Sequence, residues 1–380
     1  MGMGALDGIL VADFSRVLAG PLAAMTLGDL GADVVKVEPP AGDETRSWQP
    51  PTDAEGRSTY FLTVNRNKRS LVLDLKNPDD LELATELVRR ADVLIENFRP
   101  GTMEKFGLDY EASALVNPGL VYCSITGFGR AGGAAMPGYD PLVQALSGLM
   151  SVTGPADGDA SKTGVALVDV IAGLNASNGI LAALRVRERD RVGQRVDVNL
   201  LSSALAALAN QASSFLNTEV SPSRMGNVHP SIEPFGTYAT ADGLLMICAG
   251  NDHQFHQLVR TLGAPHLAED NRFGGNSDRV GNREALRPEL ESRLGLDSVA
   301  YWTDALNEAG VPAGPVNDIG GGFEMADSLG LEPIDEYDGI RSPRSPLELS
   351  ATPTSTRRRP PELDQHGADL RKWLGSTPGP

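Results

Sequence analysis

Short apolar runs alternate with helix-patterned stretches through the first part of the chain, and this alternation limits the fold more than any other feature. Residues 8–14, centred on Ile-Leu-Val-Ala-Asp-Phe, read as a strand. Pro21 suits a first helical turn, Leu22, Met25, Leu27 and Leu30 give that helix an apolar face, and Gly31 ends it. Residues 32–38 read as a second strand, so strand, helix and strand fit within about thirty residues, the span of a βαβ unit. Further strands are predicted at 71–75, 91–96, 120–126 and 194–198. An amphipathic helix is predicted at 78–90 and an Ala- and Leu-rich helix at 200–216. The expectation is an α/β chain built on a Rossmann-like, doubly wound parallel sheet. Such sheets bind ligands outside the carboxyl ends of their strands.

The polar and glycine-rich loops fall at those predicted ends: residues 15–20, 38–39, 97–101, 127–139, and Asp169. Val165 to Val168 read as a buried strand that ends in Asp169. A small-residue helix, 171–187, follows, with Gly173, Ala176, Ser177 and Gly179 on its packing faces. A carboxylate where a helix begins meets free N–H groups and the positive end of the helix dipole. Asp169 therefore reads as a helix cap or, in a glycine-lined crevice, as a covalent nucleophile toward an activated acyl group.

Charge narrows the partners. A formal net charge of −17 excludes the basic footprint that non-specific nucleic-acid binding requires. An anionic ligand must then meet local cations. Arg66, Lys68 and Arg69 form one such cluster, which reads as a solvated loop or as an anion site. Cys123 and Cys248 sit in apolar runs, as buried free thiols of a cytoplasmic protein would. No uninterrupted apolar stretch reaches the ~18 residues of a membrane span, and no signal-peptide pattern is present, so no membrane partner is expected. Glu38 at the end of the second strand suggests a dinucleotide site, but the first turn, Ser15 to Pro21, lacks the G-x-G-x-x-G that such a site needs. His253 and His256 have no third ligand in reach of the sequence, so no metal site is expected.

The composition shifts near residues 221–227. An antiparallel hairpin over 236–249 and helices at 252–262, 283–294 and 300–309 follow, which makes a smaller α+β domain. The boundaries expected are 1–215 for the first part of the large domain, 216–312 for the smaller one, and 313–380 for a segment returning to the large domain. In that segment 347–350 reads as a strand, with a short helix ending at Leu374.

Taken in order, several segments resemble the class III CoA-transferase family. They are Val11-Ala-Asp-Phe-Ser15, Ala19-Gly-Pro21, Leu30-Gly-Ala-Asp-Val-Val-Lys-Val-Glu38, Gly42-Asp43 with Arg46, and Asn67-Lys-Arg-Ser70. They continue with Glu96-Asn-Phe98, Pro100-Gly101, Gly138-Tyr-Asp140, Ala166-Leu-Val-Asp169 and Gly310-Val-Pro-Ala-Gly-Pro-Val316. The family includes the formyl-CoA:oxalate and carnitine CoA-transferases and is related to α-methylacyl-CoA racemase. The resemblance implies an interlocked homodimer, coenzyme A or acyl-CoA as substrate with no permanently bound cofactor, and a small carboxylic acid as acceptor. It implies that Asp169 is the nucleophile and that Leu18 and Ala19 border the thioester. Leu73, Lys76, Asn97, Phe98, Arg99 and Lys105 would contact the rest of CoA, Tyr139 would line both CoA and the acyl group, and Trp48 would lie near the acyl site; by its charge, Arg69 of the basic cluster is expected to help hold the CoA phosphates. The chain departs from the formyl-CoA enzymes at Leu18, where they have Gln, and at Pro39, where they have Arg. Gly226-Asn-Val-His-Pro-Ser231 stands in place of their tetraglycine loop. The implied reaction is transfer of CoA through aspartyl anhydride and aspartyl-CoA thioester intermediates, with acyl-CoA racemisation as the alternative. Racemases carry His where Tyr139 stands, and a phenol is too weak an acid to replace it at neutral pH.

Overall fold

The computed structural model describes residues 4–376. The chain divides into two compact units. The larger holds the residues up to Leu149, Lys162–Ser221, and those from Glu332 on; the smaller holds Met150–Ser161 and Pro222–Leu331. These limits differ from the boundaries expected at 216 and 313.

In the larger unit the elements run β1 (Leu10–Asp13), α1 (Ala19–Asp29), β2 (Asp33–Glu38), α2 (Thr59–Thr63), β3 (Lys68–Val72), α3 (Pro78–Arg90) and β4 (Val93–Glu96). They continue with α4 (Tyr110–Val116), β5 (Val121–Thr126), α5 (Asp140–Leu146), α6 (Leu167–Asp190), β6 (Arg195–Asn199), α7 (Leu200–Ala207) and α8 (Ala209–Thr218). Six parallel strands form one sheet in the order β3-β2-β1-β4-β5-β6, the doubly wound arrangement. Val11 stands between Val34 on β2 and Val93 on β4, and Cys123 on β5 stands beside Ile95 and Val196. The central strands are apolar on both faces because helices cover both. On one face α1 and α6 bury Ala23, Leu27, Ala172, Ala176 and Ile180. On the other, α3 buries Ala84, Leu87 and Val88 with Leu370 and Leu374 of the chain's last helix. α1 and α6 approach so closely that a Cβ on Gly173 would lie 2.7 Å from the Ala19 carbonyl oxygen. α6 is long and apolar enough to cross a membrane by length and composition alone, but its small residues form this core contact.

The smaller unit has a three-stranded antiparallel sheet, β7 (Phe235–Ala239), β8 (Leu244–Cys248) and β9 (Ala313–Pro315), in that order. It is packed by α9 (Asp252–Thr261), α10 (Asn276–Gly281), α11 (Arg283–Leu294) and α12 (Val299–Glu308), and α13 (Ile319–Ser328) follows with no buried residue. Pairing of Leu245 with Pro315 keeps this segment in the smaller unit, so the return to the larger one begins later than residue 313. The return consists of a hairpin, β10 (Ile334–Tyr337) and β11 (Ile340–Pro343), and α14 (Gly367–Leu374). Arg357 fastens it by donating to the carbonyls of Gly28 (2.7 Å), Ala32 (2.9 Å) and Gly31 (3.0 Å) at the end of α1.

Four local expectations need correction. Val165 to Val168 is not a strand: Val165 is 63% exposed and α6 already begins at Leu167. The sheet position beside β5 belongs to β6, which leaves that run no strand to pair with. β3 begins three residues earlier than the apolar pattern suggests, because Lys68 and Ser70 are buried with polar partners. The helix expected over 200–216 breaks between α7 and α8, where Ala209 has φ 44°. Residues 347–350 form no strand; the tail's strands flank Asp338-Gly339, whose φ values of 51° and 75° suit a two-residue hairpin turn.

Candidate active site

The basic turn entering β3 is committed internally. Arg66 pairs with Asp29 through Nε (2.9 Å) and Nη2 (2.6 Å), and Arg69 pairs with Asp33 at the start of β2. Lys68 is fully buried and donates to Asp13 (2.9 Å), Asn65 (3.0 Å) and the Pro21 carbonyl (2.9 Å). Burial opposes ionisation of Asp13, yet Lys68 and Lys36 hold its carboxyl below the ordinary range. Lys36 in turn meets Asp43 (2.8 Å) and the Ser15 carbonyl (3.0 Å). Glu38 is clasped by both Arg46 nitrogens at 2.8 Å and by the Ser70 hydroxyl at 2.7 Å. Glu38 is thus a structural anchor for the 39–46 loop. The cluster is neither a solvated loop nor a free anion site, and Arg69 lies toward the amino ends of the strands, away from the cleft described next.

That cleft opens at the carboxyl ends of β1, β4 and β5 and the amino ends of α1, α5 and α6. Leu18, Ala19, Asn97, Phe98, Arg99, Tyr139 and Asp169 all line it, with Arg16, Glu44 and the glycine-rich 127–138 segment. The first turn is held under strain. Val17 has φ 68°, a region that β-branched residues rarely enter. The Asn97 side chain clamps the residue before it, accepting the Arg16 N–H at 2.9 Å and donating to the Arg16 carbonyl at 2.7 Å. Leu18 caps α1 without any side-chain partner, so the N–H groups of Ala19 and Gly20 have no side-chain cap, and Pro21 in the same turn has none to satisfy. Behind Asn97, buried Glu96 accepts the Phe98 N–H at 2.8 Å. Burial pushes the Glu96 carboxyl up to about 7, although hydrogen bonds from Ser124 and Phe98 pull the other way.

Asp169 is the third residue of α6 and is half-buried. Among the described residues its carboxylate has no hydrogen bond and no ion pair. Burial, and then the nearby charge of Asp140, push it up to about 7. Asp140, at the start of α5, accepts the N–H groups of Val168 (2.7 Å) and Asp169 (3.1 Å). Tyr60 of α2, like Ala166 and Val170, packs against the buried cluster of Leu18, Met25 and Val64. Burial and the charges of Asp169 and Asp140 push its phenol up to about 12. Trp48 meets Tyr60 edge to face at 4.9 Å.

A second, more apolar cleft adjoins the first and shares Arg16, Glu44 and Phe98 with it. Leu73 and Lys76 line it, facing Phe14, Pro39, Thr102 and Phe106. Lys105 is exposed beside Phe106. Sequence reasoning missed Asp140 as a cap for α6, Tyr60, and the Arg16–Asn97 clamp. Only Asp140 left a signal, as the Asp-Pro pair that opens a helix. The other two depend on contacts between residues far apart in the chain.

A family model described as CoA-transferase family III matches residues 6–367. The acetyl-CoA:oxalate CoA-transferase of Acetobacter aceti is 41% identical over 374 residues, covering 97% of this chain and 95% of that protein. The succinate–glutarate CoA-transferase of Agrobacterium fabrum is 42% identical over 377 residues, covering 96% and 94%. Among solved structures, a CAIB/BAIF family protein from Brucella suis matches with a TM-score of 0.89 at 42% identity, covering 98% of this chain and 100% of that one.

Proposed function

This chain belongs to CoA-transferase family III and is a CoA-transferase, and from that premise we propose that it moves CoA to a carboxylic acid through covalent adducts of Asp169. The observation that carries this reading is the Asp169 carboxylate itself, set in the cleft at the first turn of α6 with no cation among the described residues to neutralise it. A carboxylate oxygen attacks the donor's thioester carbonyl. The C–S bond breaks, leaving an aspartyl–acyl anhydride and CoA thiolate. The thiolate attacks the Asp169 carboxyl carbon and expels the donor's acid, which leaves an aspartyl-CoA thioester. The acceptor carboxylate attacks that thioester, and the freed thiolate attacks the acceptor's acyl carbon, restoring Asp169. Each step exchanges one activated acyl group for another, so no outside energy source is required. Keeping the thiolate bound makes its return effectively unimolecular. Uncapped N–H groups at the start of α1 supply donors for the oxyanions.

CoA runs from the Asp169 cleft into the adjoining one, with Lys76 and Lys105 meeting its phosphates in a protein that otherwise repels anions. Arg69 takes no part, being held by Asp33. Lys105→Ala is expected to raise KM for acyl-CoA several-fold with little change in kcat, because such contacts are equal in ground and transition states. A defect in kcat alone counts against this path. The interlocked homodimer belongs to the same proposal, supported by long apolar side chains left exposed, Leu216 on α8 and Ile319 on α13 among them. A folded monomer in sedimentation equilibrium at high dilution would end it.

The covalent step is tested by incubating the protein with an acyl-CoA and no acceptor, then adding hydroxylamine. Mass spectrometry should find the hydroxamate of Asp169 within residues 164–173. The donor screen starts with acetyl-CoA and succinyl-CoA, and the acceptor screen with oxalate, succinate and glutarate, the acids in the relatives' names. An unmodified peptide, with solvent deuterium entering the α-carbon of a 2-methylacyl-CoA, transfers the assignment to racemisation.

A further inference from the structure

We propose that Asp140 is a positioning residue for the nucleophile: its carboxylate occupies the amino end of α6 in place of Asp169's own, leaving Asp169 turned to the cleft as a destabilised and therefore more reactive anion. The inference rests on Asp169 being the nucleophile. It concerns what makes that carboxylate attack.

α6 has no cap of its own, since its N-cap residue is Ala166. Asp140 reaches over from α5 and takes two of the free N–H groups, those of Val168 and Asp169. Its other oxygen accepts the Gln144 side-chain amide at 2.6 Å, and Gln144 accepts the Thr163 N–H at 2.9 Å, which holds the approach to α6. Capping alone does not require a charge, because Ser, Thr or Asn serves as well. Here the cap is a carboxylate only 4% exposed, and among the described residues it has no cationic partner. The helix end that would otherwise steady the Asp169 anion is already occupied by another anion.

The remaining groups around Asp169 do not undo this. α5 contributes Asp140, the residue before it is Tyr139, and α2 contributes Tyr60, whose own ionisation Asp169 opposes. The faces of α1 and α7 packed against α6 carry no ionisable side chain. Arg16 and Arg99 line the cleft, but Arg16 is stacked toward Phe98 at 5.7 Å and faces Glu44 at 3.8 Å. Neither arginine pairs with Asp169. Burial and Asp140 together hold Asp169 near neutrality rather than in the ordinary carboxylate range. A more basic oxygen is a better nucleophile, and as it attacks, its charge passes to the thioester oxygen and then to sulfur. Repulsion by Asp140 is therefore stronger before attack than during it, the condition under which an interaction speeds a reaction.

The test measures Asp169 acylation by acyl-CoA without acceptor, in the full-length protein, as a function of pH. Asp140→Asn keeps a capping oxygen and removes the charge, and Asp140→Ser removes the charge with a shorter reach. In each variant the acidic limb of the profile should move down by about one pH unit or more, the scale of a neighbouring like charge. The plateau at high pH should fall several-fold, so the variant and wild-type curves cross. A purely structural role would scale the whole profile without moving its limb, and that result overturns the proposal. So does a wild-type limb near pH 4, a measurement that needs no variant. Failure of wild-type protein to form any hydroxamate at Asp169 instead overturns the nucleophile itself, so the two failures are distinguishable.

Discussion

Asp169→Asn is expected to reduce transfer below about a hundredth of wild type with every donor–acceptor pair, the scale of loss when a nucleophile is removed. The amide keeps the side chain's shape and cannot form the anhydride. The same substitution should stabilise the fold in a pH-dependent way, and the sign follows from the raised value of about 7 against an ordinary 3.8. Below the ordinary value Asp169 is protonated in both folded and unfolded chains and costs nothing. Between the two values the unfolded chain ionises freely while the folded chain resists, so wild-type stability falls as pH rises, and the penalty is complete above about 7. The Asn variant lacks that penalty. It should unfold at a higher temperature than wild type at pH 8, by a few kcal/mol at most, and match it near pH 4. Thermal melts at the two pH values check this, and equal melting curves at pH 8 would show that the charge is not strained. Loss of activity with gain of stability is the pattern of a site that holds its nucleophile against its own preference.

Lys68→Met is expected to be the most destabilising single change near the cleft, at about 3–5 kcal/mol, because it strands a buried carboxylate. The lysine nitrogen serves Asp13, Asn65 and the Pro21 carbonyl together, all beneath the first turn of the sheet. Replacing Asp13 by Asn in the same molecule removes the stranded charge, so the double variant should recover part of the loss. Urea unfolding of the two single variants and the double variant measures the coupling. Additive effects would mean that the pair is not the reason both residues are buried. Because Asp13 also accepts the Ser15 N–H at 3.0 Å, the loss should reach the turn that presents Leu18 and Ala19 to the cleft.

Local pattern alone determined the alternating strands and helices, the α3 helix at Pro78–Arg90, the β7–β8 hairpin, and the gathering of polar and glycine-rich loops at one sheet edge. These features follow from the side-chain period and from turn chemistry between near neighbours, which a linear reading contains. The place of Asp169 at the start of a helix lining the cleft was legible too, although for a partly mistaken reason: in the run before it Val165 is exposed and Leu167 and Val168 already belong to α6, so it is not a strand. The use made of each charge was decided only by the tertiary structure. Arg66, Lys68 and Arg69 look like a ligand's cations in sequence, yet each is consumed by an aspartate 36 to 55 residues away. Asp140 looks like the start of its own helix and instead caps another, 28 residues on. Tyr60 joins the site only because α2 folds against the Leu18, Met25 and Val64 cluster that Ala166 and Val170 also cover. A buried charge must find a partner or an altered ionisation, and which partner it finds depends on distances in space that residue spacing along the chain does not encode.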